Sequence, residues 1–277
     1  MFSKFINIEP FQFSVILIIL FNIFLFTTLN LGLFDHTLNI LISVGIYEYL
    51  KKKGIKKKKK FFDTFLASSI LFFILHRSFW IYSYSNDKFV YFVLTLLLIT
   101  LLILNFSPKN LFLNYKPILI TSILPIKEFL YIPLSILLTP ISTVVTWFIL
   151  NLLGFDAYTK GQEIFIGGGG VDITFGCSGS DQIIFTLASM FVLNLLIPFK
   201  NLNIFCFQLI ISFLITFLVN ILRLCILAIY VNTYQSNNFS IFDFFHGPQG
   251  SLIFALISTV LCCEIYKKLY CLDKLKY

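Results

Sequence analysis

Apolar residues run through this chain in long stretches, and polar residues fall between them in short clusters. A stretch of roughly 17 to 25 residues suffices to cross a hydrocarbon core about 30 Å thick. Such stretches occur at 13–34, 61–81, 89–106, 134–155, 182–198, 203–231 and 249–266, with a shorter one at 36–50. The pattern predicts an all-α fold, a polytopic transmembrane helical bundle of about eight spans. Residues 117–133, PILITSILPIKEFLYIP, break the pattern with three prolines and with Lys127 and Glu128. They predict an interfacial or re-entrant piece, because a full span there would invert everything downstream. The loop 156–181 is the least membrane-like part of the chain. Its stretch EIFIGGGGVDITFG sets two β-type runs on either side of four glycines and predicts a hairpin on the outer surface, just before Cys177.

Composition agrees with a membrane protein: 58% of the 277 residues are hydrophobic, 12% are charged and 35 are Phe, more apolar surface than one soluble core can hide. A net charge of +8 would suggest nucleic acid in a soluble protein, but eight of the 21 basic residues sit in KKKGIKKKKK, 51–60. That run fits topology and anionic lipid, with no nucleic-acid partner. Placing it in the cytoplasm puts both termini, the loops 107–116 and 199–202 and the basic tail inside. The turn near Asp35, YSYSND, the loop 156–181 and the loop 232–247 then face out, with Lys88 and Lys160 as their only lysines or arginines. The expected organisation is one integral membrane domain, with four N-terminal spans in 1–110 and a four-span catalytic core in 111–277. The first apolar stretch lacks a small-residue cleavage site and is expected to be an anchor. Cys206, Cys225, Cys262 and Cys263 lie in apolar runs and Cys271 in the tail, so no disulfide framework or zinc site is expected, and no metal or cofactor.

Candidate chemistry begins with Arg223, since an arginine within a span costs about 2.5 to 3.5 kcal/mol on insertion scales and usually faces the bundle interior. Ser212, Thr216, Asn220 and Arg223 recur at helical spacing and form one polar stripe. Arg223 can serve chemistry or pair with Asp172, Asp181 or Asp243. His246, in FFHGPQG, precedes Pro248, which suits a first helical position with Gly247 as cap. The dipole there would favour a neutral ring able to take a proton. Gly250 leaves room for another segment. Cys177 lies before the helix expected from Gln182, where a thiol pKa falls. Ser178 and Asp181 fit the S-x-x-D capping box and can be cap or chemistry. The charge-based topology puts Cys177, His246 and Arg223 at one depth. Nucleophile, proton carrier and oxyanion stabiliser together suit acyl transfer.

The ordered set of C-S-G at 177–179, N-x-x-R at 220–223 and H-x-x-x-G at 246–250 resembles the exosortase and archaeosortase group of membrane-embedded cysteine transpeptidases. The proline-broken segment, the span ending NLLGF and the glycine-rich approach to the cysteine are also similar, so the resemblance covers roughly 115–266. Gly176 before the motif and Ser180 and Asp181 after it are similar to cyanobacterial-type members. The resemblance implies a multi-pass enzyme of the bacterial cytoplasmic membrane, with its active site near the outer face. Its partners would be exported proteins bearing a C-terminal sorting signal of Pro-Glu-Pro type, a transmembrane helix and a basic tail. Cys177 would form a thioester, His246 would shuttle the proton, and Arg223 would stabilise the oxyanion or position substrate. Asn220, Ser178, Gly179, Asp181 and Gly250 would support them. A surface acceptor would then resolve the acyl enzyme.

Two other readings compete. G-C-S-G at 176–179 also satisfies the G-x-S-G pattern of rhomboid-type intramembrane serine proteases, with Ser178 as nucleophile. A transporter or lipid-binding scaffold would use the Ser212 to Arg223 stripe as a pathway and would leave Cys177 dispensable.

Overall fold

The computed structural model describes residues 16, 18–20, 23–24, 33–51, 61–81, 89–105, 115–233 and 239–275. Most of the expected span at 13–34, most of the lysine run, YSYSND and Lys88, most of the loop 107–116, part of the loop 232–247 and the last two residues lie outside them. The chain divides into two compact units, Met1–Ile126 and Lys127–Tyr277.

In the first unit, helices α1 (Leu33–Lys51), α2 (Phe61–Ile81), α3 (Val90–Asn105) and α4 (Tyr115–Thr121) pack through apolar side chains such as Leu38, Ile42, Ile74, Val93 and Leu94. The Tyr91 hydroxyl donates to Asp35 Oδ2 at 3.2 Å, which accounts for a carboxylate inside an apolar unit. The spans expected at 36–50, 61–81 and 89–106 coincide with α1, α2 and α3.

The segment 117–133, expected as an interfacial or re-entrant piece, is helical. It runs from α4 into α5 (Ile123–Leu152), and backbone hydrogen bonds from Ser122 to Ile118 and from Ile126 to Ser122, both 3.0 Å, carry the helix through the join. Pro125 falls in the first turn of α5, where an amide hydrogen is dispensable, and Pro133 and Pro140 are accommodated inside the helix. Prolines interrupt membrane helices less than soluble ones because neighbouring groups satisfy the freed carbonyls. Among the described residues, Ile118–Leu152 and Leu202–Val231 are each long and apolar enough to cross a membrane.

The second unit continues from α5 into a three-stranded antiparallel sheet in the order β1 (Ala157–Lys160), β2 (Glu163–Ile166), β3 (Gly169–Asp172). The expected hairpin is present as β2 and β3, with Glu163 opposite Asp172 and Ile166 opposite Gly169. A further strand, β1, pairs Ala157 with Ile166 and Lys160 with Glu163. The inward side chains Ala157, Ile164, Ile166 and Val171 join Cys177, Ile221, Leu224 and Leu227 in one core, so the sheet sits on the end of the helices that carries the cysteine. After the sheet come a 3₁₀ turn (Phe175–Cys177), α6 (Ser180–Leu196), α7 (Leu202–Thr233), α8 (Phe239–His246) and α9 (Pro248–Leu275).

Helices α6, α7 and α9 pack on one another with an inside-out distribution of polarity. Gln182 and Thr186 of α6, Gln208, Ser212, Thr216, Asn220 and Arg223 of α7, and Ser258 of α9 are buried, as are Ser135, Thr139, Ser142 and Thr146 of α5. Phe129, Leu137, Phe148, Leu202, Leu218, Leu222 and Val260 face outwards. A soluble domain would do the reverse; lipid solvates the apolar exterior, and buried polar groups pair across helices. The Thr186 and Ser258 hydroxyls meet at 3.2 Å, and Gln182 Nε2 donates to Ser251 Oγ at 3.0 Å. Contacts of α5 at positions 127, 135 and 142 all fall on residues 178–181. About 22 Å of helix, at 1.5 Å per residue, therefore meets four residues, and α5 crosses the start of α6 rather than running along it.

Candidate active site

The cysteine is placed by a tight sequence of turns. Strand β3 delivers the chain to the 3₁₀ turn, in which the Cys177 amide donates to Thr174 O at 2.9 Å and the Ser178 amide donates to Phe175 O at 3.3 Å. Gly179 then takes φ +88° and caps α6. Only glycine adopts that conformation without strain, and a Cβ here would also lie 2.7 Å from Asn220 Nδ2. The missing side chain lets Asn220 come close enough for Nδ2 to donate to Cys177 O at 3.1 Å. Asn220 thereby ties the cysteine to α7.

His246 comes from the other side of the unit. It ends α8; Gly247 follows, and Pro248 opens α9, as the sequence predicts. Gly250 is needed here because a Cβ would lie 2.5 Å from Phe244 O and 2.6 Å from Phe245 Cα. The ring stacks on Phe242 at 5.2 Å between centroids, and its Nδ1 lies 3.9 Å from Cys177 Sγ. The structure revises the dipole expectation. Hydrogen bonding to Cys177 raises the imidazole pKa, more than partial burial lowers it, and as the last residue of α8 it also sits among carbonyl ends, which favour a cation. For the thiol, burial alone would raise the pKa; the His246 hydrogen bond and the charges of His246 and Arg223 outweigh it and bring it below the usual range. The two shifts favour a thiolate and imidazolium pair.

Arg223 is buried with no carboxylate partner among the described residues. Its Nε donates to Phe245 O at 3.0 Å and its Nη2 to His246 O at 2.8 Å, so two of its nitrogens hold the turn that carries the histidine. Nη1 has no partner, and the charge lies within electrostatic reach of Cys177. The alternative pairing with Asp172, Asp181 or Asp243 is therefore replaced by main-chain carbonyls. The Asp243 carboxylate adds to the rise at His246 through its charge, and its carbonyl accepts from the Gly247 amide at 2.7 Å.

The capping box is also corrected. Gly179, not Ser178, is the N-cap, and no side chain caps it. The Ser178 hydroxyl donates to Phe175 O at 2.7 Å and lies 2.8 Å from Ser180 Oγ, while Ser142 Oγ donates to Ser178 O at 3.2 Å. Asp181 pairs with Lys127 Nζ at 3.1 Å. The box fails because the left-handed glycine reverses the chain one residue later than the pattern assumes.

The structure thus brings Cys177, Asn220, Arg223 and His246 together, with Gly179 and Gly250 permitting the approach. Asp181 pairs with Lys127 of α5, and Ser178 meets α5 through its carbonyl while its hydroxyl stays within the turn. Residues that sequence reasoning missed are Lys127, Gln182, Ser135 and Ser142. The signal for the α5 pair was available, since Ser135, Thr139, Ser142 and Thr146 repeat at helical spacing as the α7 stripe does. No curated protein and no solved structure matches the chain. The family model described as transmembrane exosortase matches residues 29–263, and the chain belongs to that family of membrane proteins.

Proposed function

We propose that this protein is a cysteine transpeptidase of the cytoplasmic membrane, which cleaves C-terminal sorting signals of exported proteins near the outer face and transfers them to a surface acceptor. The observation that carries this reading is the 3.9 Å approach of Cys177 Sγ to His246 Nδ1, with Arg223 holding the histidine turn, in a chain of the transmembrane exosortase family. The thiolate of Cys177 attacks the carbonyl carbon of the scissile peptide, and its proton resides on His246. The C–N bond then breaks as the imidazolium protonates the departing amine, leaving a thioester. An amine or water attacks the thioester, gives up its proton to His246, and releases the Cys177 thiolate.

The tetrahedral intermediate needs a donor for its oxyanion. The amides of Cys177 and Ser178, next to the nucleophile, are both spent within the 3₁₀ turn. The free Arg223 Nη1 supplies a donor and a full charge from a buried site, which supports oxyanion stabilisation as its role. The same residue positions His246 through its other nitrogens.

The rhomboid-type alternative fares worse, because the Ser178 hydroxyl is buried and committed to Phe175 O and Ser180 Oγ. Purified protein incubated with a peptide bearing a Pro-Glu-Pro motif, an apolar helix and a basic tail tests both. Cleavage with a mass adduct on Cys177 is expected, lost in Cys177→Ala and kept in Ser178→Ala. The opposite pattern overturns the transpeptidase reading.

A further inference from the structure

Asn220 and Arg223 are each fully buried, fixed by hydrogen bonds at one end and left with one polar atom that has no partner; Gln182 and Gln208 share that pattern, but Asn220 and Arg223 are the ones tied to the segments that carry Cys177 and His246. The free atoms are Asn220 Oδ1 and Arg223 Nη1. The amide orientation is set chemically, since Cys177 O can only accept and so must face Nδ2. The free end is therefore an acceptor, and the free end of Arg223 is a donor. The residues are three apart on one helix face, where side-chain origins lie about 5–6 Å from each other. Both are pre-oriented by the segments bearing the nucleophile and the histidine, Asn220 by Cys177 O and Arg223 by Phe245 O and His246 O.

One fixed acceptor beside one fixed donor, at a cysteine nucleophile, is complementary to a peptide main chain. Main chain presents N–H and C=O groups in alternation, and an unpaired polar atom in a buried site discriminates sharply against a ligand that cannot satisfy it. We infer that Asn220 Oδ1 accepts a main-chain N–H of the substrate next to the scissile bond, while Arg223 Nη1 holds the scissile carbonyl oxygen. This rests on the acyl-transfer reading and extends it to specificity. The substrate position that faces Asn220 must carry an N–H, which excludes proline, N-methylated residues and esters there. Asn220 is then both a tether of the cysteine backbone and a substrate-binding residue, and a side chain at position 179 would push it out of that place.

The test uses the full-length protein in detergent and a set of synthetic sorting-signal peptides. In each analogue one amide N–H flanking the scissile bond is replaced by an ester oxygen, with the scissile bond itself intact. Thioester formation at Cys177 is followed by mass spectrometry. One position is expected to lose about 10- to 100-fold in kcat/KM with the wild-type protein. In Asn220→Ala that penalty is expected to fall to within about 2-fold, because both parent and ester then lack the acceptor. Asn220→Leu, which fills the same space with an apolar group, gives the same comparison if the alanine variant does not fold. Folding is checked by iodoacetamide labelling of Cys177. Equal rates for every analogue with the wild-type protein overturn this inference alone, as does a penalty that persists in both variants. Absence of any Cys177 adduct with the parent peptide overturns the acyl-transfer reading and this inference with it.

Discussion

Cys177 and Cys262 are equally hidden, at 3% and 0% exposure, yet they sit in regions of different chemical character. Around Cys262, in the middle of α9, the neighbours are Met190, Tyr266, Leu193 and Phe199. The polar groups there serve packing: Gln208 Nε2 donates to Cys262 O at 3.0 Å, and Tyr266 donates to Ile197 O at 2.7 Å. Around Cys177 the apolar core meets a chain reversal, an imidazole and a guanidinium. Burial raises the pKa of a thiol wherever it occurs, so a buried cysteine is inert unless charge and hydrogen bonds overcome that penalty. The two regions teach that the partners, and the helix ends that deliver them, make the difference. A residue in mid-helix has its backbone committed, whereas a 3₁₀ turn before a helix start can aim a side chain at three other segments.

Removing the two thiols in turn tests that contrast most severely. Cys177→Ala is expected to lower signal cleavage by at least about 10³-fold, while Cys262→Ala leaves kcat/KM within about 2-fold and costs about 1 kcal/mol in unfolding free energy. Comparable loss of cleavage in both variants would erase the distinction. His246→Ala follows, with a loss of about 10²-fold or more, and it also has a pH signature. In the folded protein the Cys177 thiolate is present above a lowered pKa and disappears as pH falls through it. Without His246 the hydrogen bond and charge are gone, so the midpoint of iodoacetamide labelling against pH moves upward, and labelling at neutral pH slows by about 10-fold. A midpoint that stays in place would show that the histidine does not set the thiol.

Gly179→Ala sharpens the geometric side. It forces a side chain into φ +88° and against Asn220, and is expected to cost about 1–2 kcal/mol of stability and about 10-fold in activity. Thermal unfolding and cleavage rate read the two effects separately. Among the variants around the site, a small effect on activity is expected of Lys127→Met, which leaves Asp181 without its 3.1 Å partner at the point where α5 crosses α6. Asp181 is about one-quarter exposed and Lys127 is buried, so the variant is expected to lose about 1–3 kcal/mol of stability and at most about 3-fold in activity. A larger effect on kcat than on stability would bring Lys127 into the chemistry.

Much of the fold is visible in the chain itself, because lipid imposes a simple code. Helix α7 must be apolar outside and can be polar only where it meets other helices, so the Ser212 to Arg223 stripe was readable as an interior face. That 117–133 runs as helix into α5 was not legible, since proline in a membrane helix can be satisfied by neighbours that no local pattern reveals. The membership of the family was likewise readable, because the three short motifs stand in one order along the chain with long apolar helices between them.

What the sequence determined alone is therefore the apolar code of the spans, the β-type approach to the cysteine, the proline at the start of α9, and the identity and order of the residues that meet. Only the tertiary structure decided how they meet. It committed the Ser178 hydroxyl to its own turn, paired Asp181 with α5, gave the cap of α6 to Gly179, and spent two nitrogens of Arg223 on the carbonyls of the histidine turn. Helical spacing can assign a residue to a face, but hydrogen-bond partners come from segments distant in the chain, and which atom of a forked side chain is left free is settled only when those segments pack.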